Sequence, residues 1–138
     1  METKRLRSAR AVCVVLLVSV GNAWANADSL YTPGPIVVPD GKSLERVKTD
    51  VHKALLVKDW QVRHPRSGRI EAKLIDIGKA DSVRAAVIYI NYDAKIVTIA
   101  YKDSRGLNYN KPKNEIDRQY TRWVRALEKN IKKSLASY

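Results

Sequence analysis

The stretch Val83–Tyr92, VRAAVIYINY, constrains the fold more than any other part of the sequence. It is rich in valine, isoleucine and tyrosine, which favour strands. Apolar residues occupy both alternating sets of positions, whereas a strand with one solvated face alternates apolar and polar residues. The run therefore predicts a strand at the centre of a sheet.

Three other runs show the alternation of half-buried strands. They span residues 60–64, 70–74 and 97–101. The links between successive runs are short and contain turn-forming residues, at 65–68, 78–82 and 93–94. Parallel strands need a crossover of roughly a dozen residues or more, so the four strands are predicted to form an antiparallel meander.

Two stretches, residues 43–58 and 114–136, carry apolar residues at helical spacing. Ser43 is the predicted N-cap of the first helix, with Glu45 in its first turn. The predicted buried face of the second helix consists of Ile116, Tyr120, Trp123, Leu127 and Ile131. Two helices on one face of a four-stranded sheet give a two-layer α+β domain in the order α-β-β-β-β-α.

The N-terminal segment has the features of a secretory signal peptide. Residues 2–10 contain four basic residues and one acid, residues 11–20 are small or apolar, and Ala23-Trp24-Ala25 follows. The apolar run is shorter than the roughly 20 residues needed to span a bilayer. We predict a signal peptide over residues 1–25, with cleavage after Ala25 or Ala27, and an exported protein in the periplasm, outside the cell or peripheral to a membrane.

Cys13 is the only cysteine, and it lies inside the predicted signal peptide. The mature chain is therefore predicted to have no disulfide and no acyl anchor through cysteine. Residues 26–42 are rich in proline and glycine and predict an extended leader. Residues 43–138 are predicted to form a single α+β domain.

The mature chain is strongly basic. From Asn26 onward there are 22 Lys and Arg against 13 Asp and Glu, a surplus of nine positive charges. Such a charge favours association with anionic partners. For an exported protein those partners are lipid headgroups or lipopolysaccharide, and nucleic acid is not expected.

Five cations recur on one face of the last helix, almost opposite its apolar face. They are Arg118, Arg122, Arg125, Lys129 and Lys132, and we call them the helix stripe. No acid falls within this stripe in the sequence projection. Two interpretations stay open: an ordinary solvated helix face, or a strip that holds the protein against an anionic surface.

The stretch DSRGLNYN, residues 103–110, lies between the last strand and the last helix. In one interpretation it is a structural corner, because Gly106 permits a positive φ and Asn108 tolerates a left-handed conformation. In the other, a groove between this corner and the last helix binds a ligand. The residues predicted to bind there are Asp103, Ser104, Asn108, Tyr109 and Tyr120.

Catalytic motifs are absent from the sequence. Two histidines without a mature cysteine cannot supply the ligands of a typical zinc site, and no nucleophile elbow or phosphate-binding glycine loop occurs. We predict no catalytic residue, metal or cofactor. A hydrolase-like enzyme using Asp103, Ser104 and Asp117 is the alternative, and a homodimeric protein-interaction module using the second face of the Val83–Tyr92 strand is another.

Several short motifs occur in a fixed order. They are Trp60-x-Val62, Gly68-x-Ile70-x-Ala72, Arg84-x-Ala86-x-Ile88-x-Ile90-x-Tyr92, Ile99-x-Tyr101-x-Asp103-Ser104, Leu107-Asn108-Tyr109 and Tyr120-x-x-Trp123-Val124. The pattern resembles a family of small exported proteobacterial proteins, many of them lipoproteins, with no established function. The resemblance implies this fold and an envelope location. Histidines common in that family are replaced here by Arg84 and Asp117, so histidine-based chemistry is not expected.

Together these features predict a small, basic, exported protein that binds at the cell envelope without catalysis.

Overall fold

The structure, a computed structural model, describes residues 27–137. The predicted signal peptide, residues 1–25, lies outside the described residues. The helices are α1 (Leu44–Val57) and α2 (Arg118–Ala136), with a short 3-10 helix at Lys79–Asp81. The strands are β1 (Ala27–Ser29), β2 (Ile36–Val37), β3 (Gln61–Arg66), β4 (Arg69–Ile77), β5 (Val83–Tyr92), β6 (Ile96–Arg105) and β7 (Glu115–Asp117).

The predicted α+β class and the antiparallel pairing of the four predicted strands are confirmed, but the main sheet has one strand more than predicted and two further strands form a second sheet. The main sheet has five strands in the order β2-β6-β5-β4-β3, so β5 lies at its centre. The fifth strand is β2, which pairs with β6 through Ile36↔Val97 and Val37↔Ile96. A separate two-stranded sheet joins β1 to β7. Strands of two or three residues are too short to show alternation, which explains why the sequence did not reveal them.

The segment predicted as an extended leader is packed into the domain. It supplies β1 and β2, and both Ile36 and Val38 are buried in the core. Its last lysine, Lys42, donates a 2.5 Å hydrogen bond to the buried carboxylate of Asp50 on α1 and a 3.0 Å bond to the carbonyl of Ser137. Leader and domain therefore form one packed body from Ala27 to Ser137.

The two helices begin where their caps place them. Ser43 caps α1 as predicted, because its hydroxyl accepts a hydrogen bond from the Arg46 backbone N–H at 3.1 Å. The second helix begins at Arg118, four residues later than predicted, because β7 pairs with β1. Asp117 ends that strand and caps the helix, accepting a 2.8 Å bond from the Gln119 backbone N–H.

The core lies between the helices and one face of the main sheet. The side chains of α2 that are buried there are Tyr120, Val124, Leu127, Ile131 and Leu135. The prediction that Trp123 belongs to this set was wrong: it is half-buried at the margin of the core. The fully enclosed tryptophan is Trp60, at 1% exposure. The buried face of α2 is centred nearer Val124 than Trp123, and Ile116 belongs to β7 instead of the helix.

Helices cover only one face of the main sheet. Ile70, Ala72 and Leu74 of β4 point toward them, and the intervening residues of β4 and β5 point the other way. We call this second side the open face. Neither described helix is both long enough and apolar enough to cross a membrane.

Candidate anion-binding site on the open face

A recess of about 270 Å³ lies on the open face, toward the β3–β4 hairpin. Four consecutive strands of the sheet contribute to it. Its lining residues are His64, Arg66, Arg69, Glu71, Tyr89 and Lys102, and we call them the open-face site. These residues are separated by up to 38 positions in the chain, so only the sheet brings them together.

The strand register explains why these side chains meet. Glu71 lies directly opposite Tyr89 on β5 and opposite Arg63 on β3. Directly opposed residues of antiparallel strands share a face, so all three project from the open face. Arg69 is held in the same way, because it lies opposite Asn91 and its Nε donates a 2.9 Å hydrogen bond to the Asn91 Oδ1.

Two irregularities of the sheet add the remaining groups. The β3–β4 register shifts between Arg63 and Arg66, where His64 has a φ of 44°. The β5–β6 register shifts at Lys102, which is the extra residue between two opposed pairs. A bulge of this kind redirects a side chain. Both redirected side chains reach Glu71: Lys102 is hydrogen-bonded to it, and the His64 Nε2 lies 4.0 Å from its Oε2.

The electrostatics of the site centre on Glu71, which is 7% exposed. The hydrogen bond from Lys102 lowers the pKa of the Glu71 carboxyl, and the charges of Lys102, His64 and Arg63 lower it further. Hydrogen bonding to Glu71 and to Tyr89 raises the pKa of Lys102. The carboxylate and the ammonium group are therefore both charged at neutral pH.

Tyr89 forms the floor of the site between two cations. The Arg69 guanidinium lies 4.5 Å from the centre of its ring, and the Lys102 Nζ lies 5.2 Å from it. These distances are those of cation–π contacts. Arg66, Arg69 and Lys102 outnumber the single lining acid, Glu71. Guanidinium groups bind phosphate and carboxylate through paired hydrogen bonds, so the site has the chemistry to hold an anionic group beside an aromatic ring.

The other end of the open face is different in character. Ile75, Ile77 and Val83 lie there with 43%, 68% and 38% exposure. Ile75 lies opposite Ala85, and Ile77 lies opposite Val83. The open face therefore has a cationic end, beside the β3–β4 hairpin, and an apolar end beside the β4–β5 link.

The three residues of the hydrolase alternative do not form one site. Asp103 lies opposite Val87 on the open face, whereas Ser104 lies opposite the buried Ala86 on the helix side. The Asp103 carboxylate accepts a 2.8 Å bond from the Ser104 backbone N–H. The carboxylate of Asp117 is occupied as the cap of α2. The sheet itself separates the acid from the hydroxyl that it would have to activate.

Three of the residues predicted to bind at the corner lie beside Tyr101, which the prediction omitted. They are Ser104, Tyr109 and Tyr120. The Tyr101 ring lies 4.5 Å from that of Tyr109 and 5.7 Å from that of Tyr120. The Tyr101 hydroxyl is 2.8 Å from the Ser104 Oγ. Tyr120 is 1% exposed, and burial raises its pKa. It is thus a core residue. Asn108 is exposed with a φ of 51°.

Close packing dominates the corner itself. Gly106 has a φ of 70°, and a Cβ at this position would lie 2.4 Å from the Val83 carbonyl oxygen. Leu107 is fully buried, and its carbonyl accepts a 2.8 Å bond from the Asp117 backbone N–H. These contacts fix the path from β6 to α2 and support the structural interpretation of the corner.

All five residues of the helix stripe are exposed. The structure places two acids beside them, although the sequence projection showed none within the stripe. Arg118 lies 3.7 Å from Asp28 of β1, and Lys132 lies 3.2 Å from Glu128. The Arg125 guanidinium lies 4.8 Å from the centre of the Tyr31 ring. The stripe keeps a surplus of positive charge, with five cations against two acids.

Sequence reasoning missed the open-face site. The alternating charges of β3 and β4 were visible, but the bulges that redirect His64 and Lys102 were not. The positive φ of His64, which immediately precedes Pro65, has no local sequence signal. Within residues 27–137, no group of three or more His, Cys, Asp or Glu side chains is placed to hold a metal ion.

Comparisons with known proteins do not place this chain in a family. No protein-family model matches the sequence, and no curated protein matches it. Among solved structures, the chain is similar to the vertebrate conserved region of human METTL16, with a TM-score of 0.45 and 8% identity. The match covers 78% of this chain and 100% of that one. The resemblance to exported proteobacterial proteins stays a prediction.

Proposed function

We propose that this protein is an exported, envelope-associated binding protein that acts without catalysis and holds anionic groups in its open-face site. The observation that carries the proposal is the convergence of two bulge residues, His64 and Lys102, with Arg66 and Arg69 around one tyrosine. Bulges often occur beside functional sites because they redirect side chains. Here both redirected residues are basic.

The size of the recess indicates the size of the group it accepts. Pockets for drug-sized ligands usually enclose about 300–1,000 Å³, and this recess encloses about 270 Å³. A single phosphorylated headgroup or sugar matches that space. The guanidinium groups of Arg66 and Arg69 suit a phosphate, and the Tyr89 ring offers a flat surface for a sugar ring. Phospholipid headgroups and lipopolysaccharide both carry this chemistry.

Two observations bear on the alternatives. The separation of Asp103 from Ser104 by the sheet supports binding over hydrolysis. The exposed apolar end of the open face, at Ile75, Ile77 and Val83, favours homodimerisation as a second candidate function. Sedimentation of the mature protein over a concentration series tests it: a dimer that Ile77→Asp converts to a monomer would support this candidate.

The binding proposal is tested by removing two cations from the site. Each cation near an anionic membrane contributes about 1 kcal/mol, so Arg66→Gln/Arg69→Gln is expected to weaken binding by roughly 10- to 30-fold at low salt. Binding is measured on vesicles containing anionic phospholipid and, separately, on lipopolysaccharide. The two arms distinguish the sources of the phosphate.

Lys79→Gln/Lys95→Gln is the matched control, because it removes two exposed cations outside both the open-face site and the helix stripe. Both double variants are expected to keep the thermal midpoint of the parent, since the substituted side chains are exposed. Equal loss of binding in the two variants would show that net charge alone matters and would overturn the assignment of the site.

A further inference from the structure

We propose that the protein bridges two anionic lipid surfaces, because it carries a cationic surface on each of its two outer layers. One of these is the open-face site, so the inference rests in part on the proposed function. The other is the helix stripe. Bridging requires both surfaces, placed on opposite sides of the domain, and neither surface could bridge by itself.

The two surfaces point in opposite directions. The buried side chains of α2 face the sheet. At about 100° per residue the helix stripe is centred roughly 140° around the helix from them, so it faces away from the sheet. The open-face site lies on the side of the sheet that the helices do not cover. The packed core therefore separates the two cationic surfaces.

The thickness of the domain makes the two surfaces electrostatically independent. A helix with its side chains is about 10–12 Å across, and packed layers lie roughly 10 Å apart. The outer surfaces of the two layers are thus separated by about 20 Å. The Debye length at physiological ionic strength is about 8 Å. An anionic surface bound on one side therefore leaves the attraction on the other side almost unchanged.

One cation of the helix stripe, Arg125, is held in place by an aromatic contact. Arg125 is stacked over the Tyr31 ring, and the Tyr31 hydroxyl donates a 2.6 Å bond to the Glu128 Oε1. Arg122 and Lys129 lie exposed along the same face. This arrangement displays positive charge along a surface, which suits many headgroups more than a single small ligand.

The helix layer also exposes apolar side chains, and these favour lipid over a purely polar polymer. Leu56 and Val57 at the end of α1 are 67% and 64% exposed. Val57 lines a shallow recess together with Lys53 of α1 and Lys133 of α2. Apolar residues flanked by cations are the composition that enters the headgroup region of a membrane.

The experiment measures vesicle clustering by light scattering, together with binding by co-sedimentation. The vesicles contain phosphatidylglycerol and phosphatidylcholine in equal parts, and the protein is the full mature chain. The parent is expected to cluster vesicles at intermediate protein-to-lipid ratios and to stop doing so in excess, when each vesicle is fully coated. High salt is expected to reverse the clustering.

Three double variants that each remove two charges separate bridging from neutralisation. Arg122→Gln/Lys129→Gln and Arg66→Gln/Arg69→Gln each leave one cationic surface intact. Both are expected still to bind vesicles through the intact surface, Arg66→Gln/Arg69→Gln with the weaker affinity expected above, and to lose about tenfold in clustering rate. Lys79→Gln/Lys95→Gln, which lies outside both surfaces, is expected to cluster vesicles like the parent.

Each of the other outcomes would contradict the bridging proposal, the proposed function or both. Clustering by both single-surface variants at the parent rate would overturn the bridging proposal. If only one of the two single-surface variants lost clustering, one surface on each copy of a dimer would explain the result, and the proposal would fall. Binding without clustering by the parent would overturn bridging and leave the proposed function standing. No binding by the parent would overturn both.

Discussion

The helix stripe and the open-face site carry comparable positive charge, but they are built differently. The stripe consists of five residues of one helix, at positions 118–132, and its spacing follows from the helical period. The open-face site takes residues from four strands and depends on two bulges. A charged helix face can be read along the chain, whereas a charged recess in a sheet depends on which strands pair and in what register.

The two surfaces differ in shape. The stripe extends over roughly 20 Å along a convex helix, where all five cations are exposed to solvent. The open-face site gathers its cations in a concave recess beside an aromatic ring. Cations gathered in a cleft concentrate the field, and Glu71 offsets part of that field here. The recess is therefore suited to selecting one group, and the stripe to holding an extended surface.

The largest expected effect is on stability, at Gly106, where the end of β6 packs closely against the start of β5. Gly106→Ala places a Cβ 2.4 Å from the Val83 carbonyl oxygen and strains a φ of 70°. We expect a loss of about 2–4 kcal/mol in the free energy of unfolding, measured by chemical denaturation. Binding by the remaining folded protein should be unchanged on both surfaces.

Two glycines serve as controls for that change. Gly41 has open space around it but a φ of 89°, so Gly41→Ala is expected to lower the free energy of unfolding by about 1 kcal/mol. Gly34 has open space around it and no positive φ, so Gly34→Ala is expected to change the free energy of unfolding by no more than about 0.5 kcal/mol. If all three variants were equally mild, close packing would not define the corner, and its interpretation as a binding site would be open again.

A smaller effect is expected on vesicle affinity when the acid of each surface, Glu71 or Glu128, is replaced. Glu71→Gln removes the lining acid of the recess and releases Lys102, so binding to anionic vesicles is expected to become about fivefold tighter. Glu128→Gln at the convex stripe is expected to change binding by about twofold, because solvent and salt screen that surface more. Titration of vesicles at fixed low salt measures both, and the reverse order would contradict the contrast in shape.

The smallest effects are pH dependences, which lie on opposite sides of neutrality. Glu71 has its pKa lowered from 4.5 by Lys102. Its contribution to stability is therefore present above about pH 4.5 and is lost as the pH falls through the lower, folded value. Tyr31 has its pKa raised from 10.0 by its hydrogen bond to Glu128. Its contribution is present below about pH 10 and is lost as the pH rises through the higher, folded value.

The two stability contributions are measured, as a function of pH, as differences in the free energy of unfolding between the parent and Glu71→Gln or Tyr31→Phe. The first difference should shrink in acid, and the second should shrink in alkali. A difference that stays constant over the relevant range would show that the hydrogen bond in question does not perturb the titrating group.

The sequence by itself determined the elements whose signals are local. The ten residues Val83–Tyr92 show a buried strand along their own length, and the bounds of β5 agree with that prediction. Ser43 shows a cap at the point where helical spacing begins. The short links required an antiparallel meander, because no crossover could fit in them. The exposure of the helix stripe follows from the same helical period.

Only the tertiary structure decided the features that depend on pairing between distant segments. β1, β2 and β7 are strands because they meet a partner, and each is too short to show a period. The burial of Val124 and the half-burial of Trp123 depend on which side of α2 packs against the rest of the core. The open-face site depends on two register shifts. Because side chains alternate with a period of two, one inserted residue moves a side chain to the other face of a sheet. Local sequence does not show where such an insertion will be, and this is why the recess became visible only in the folded chain.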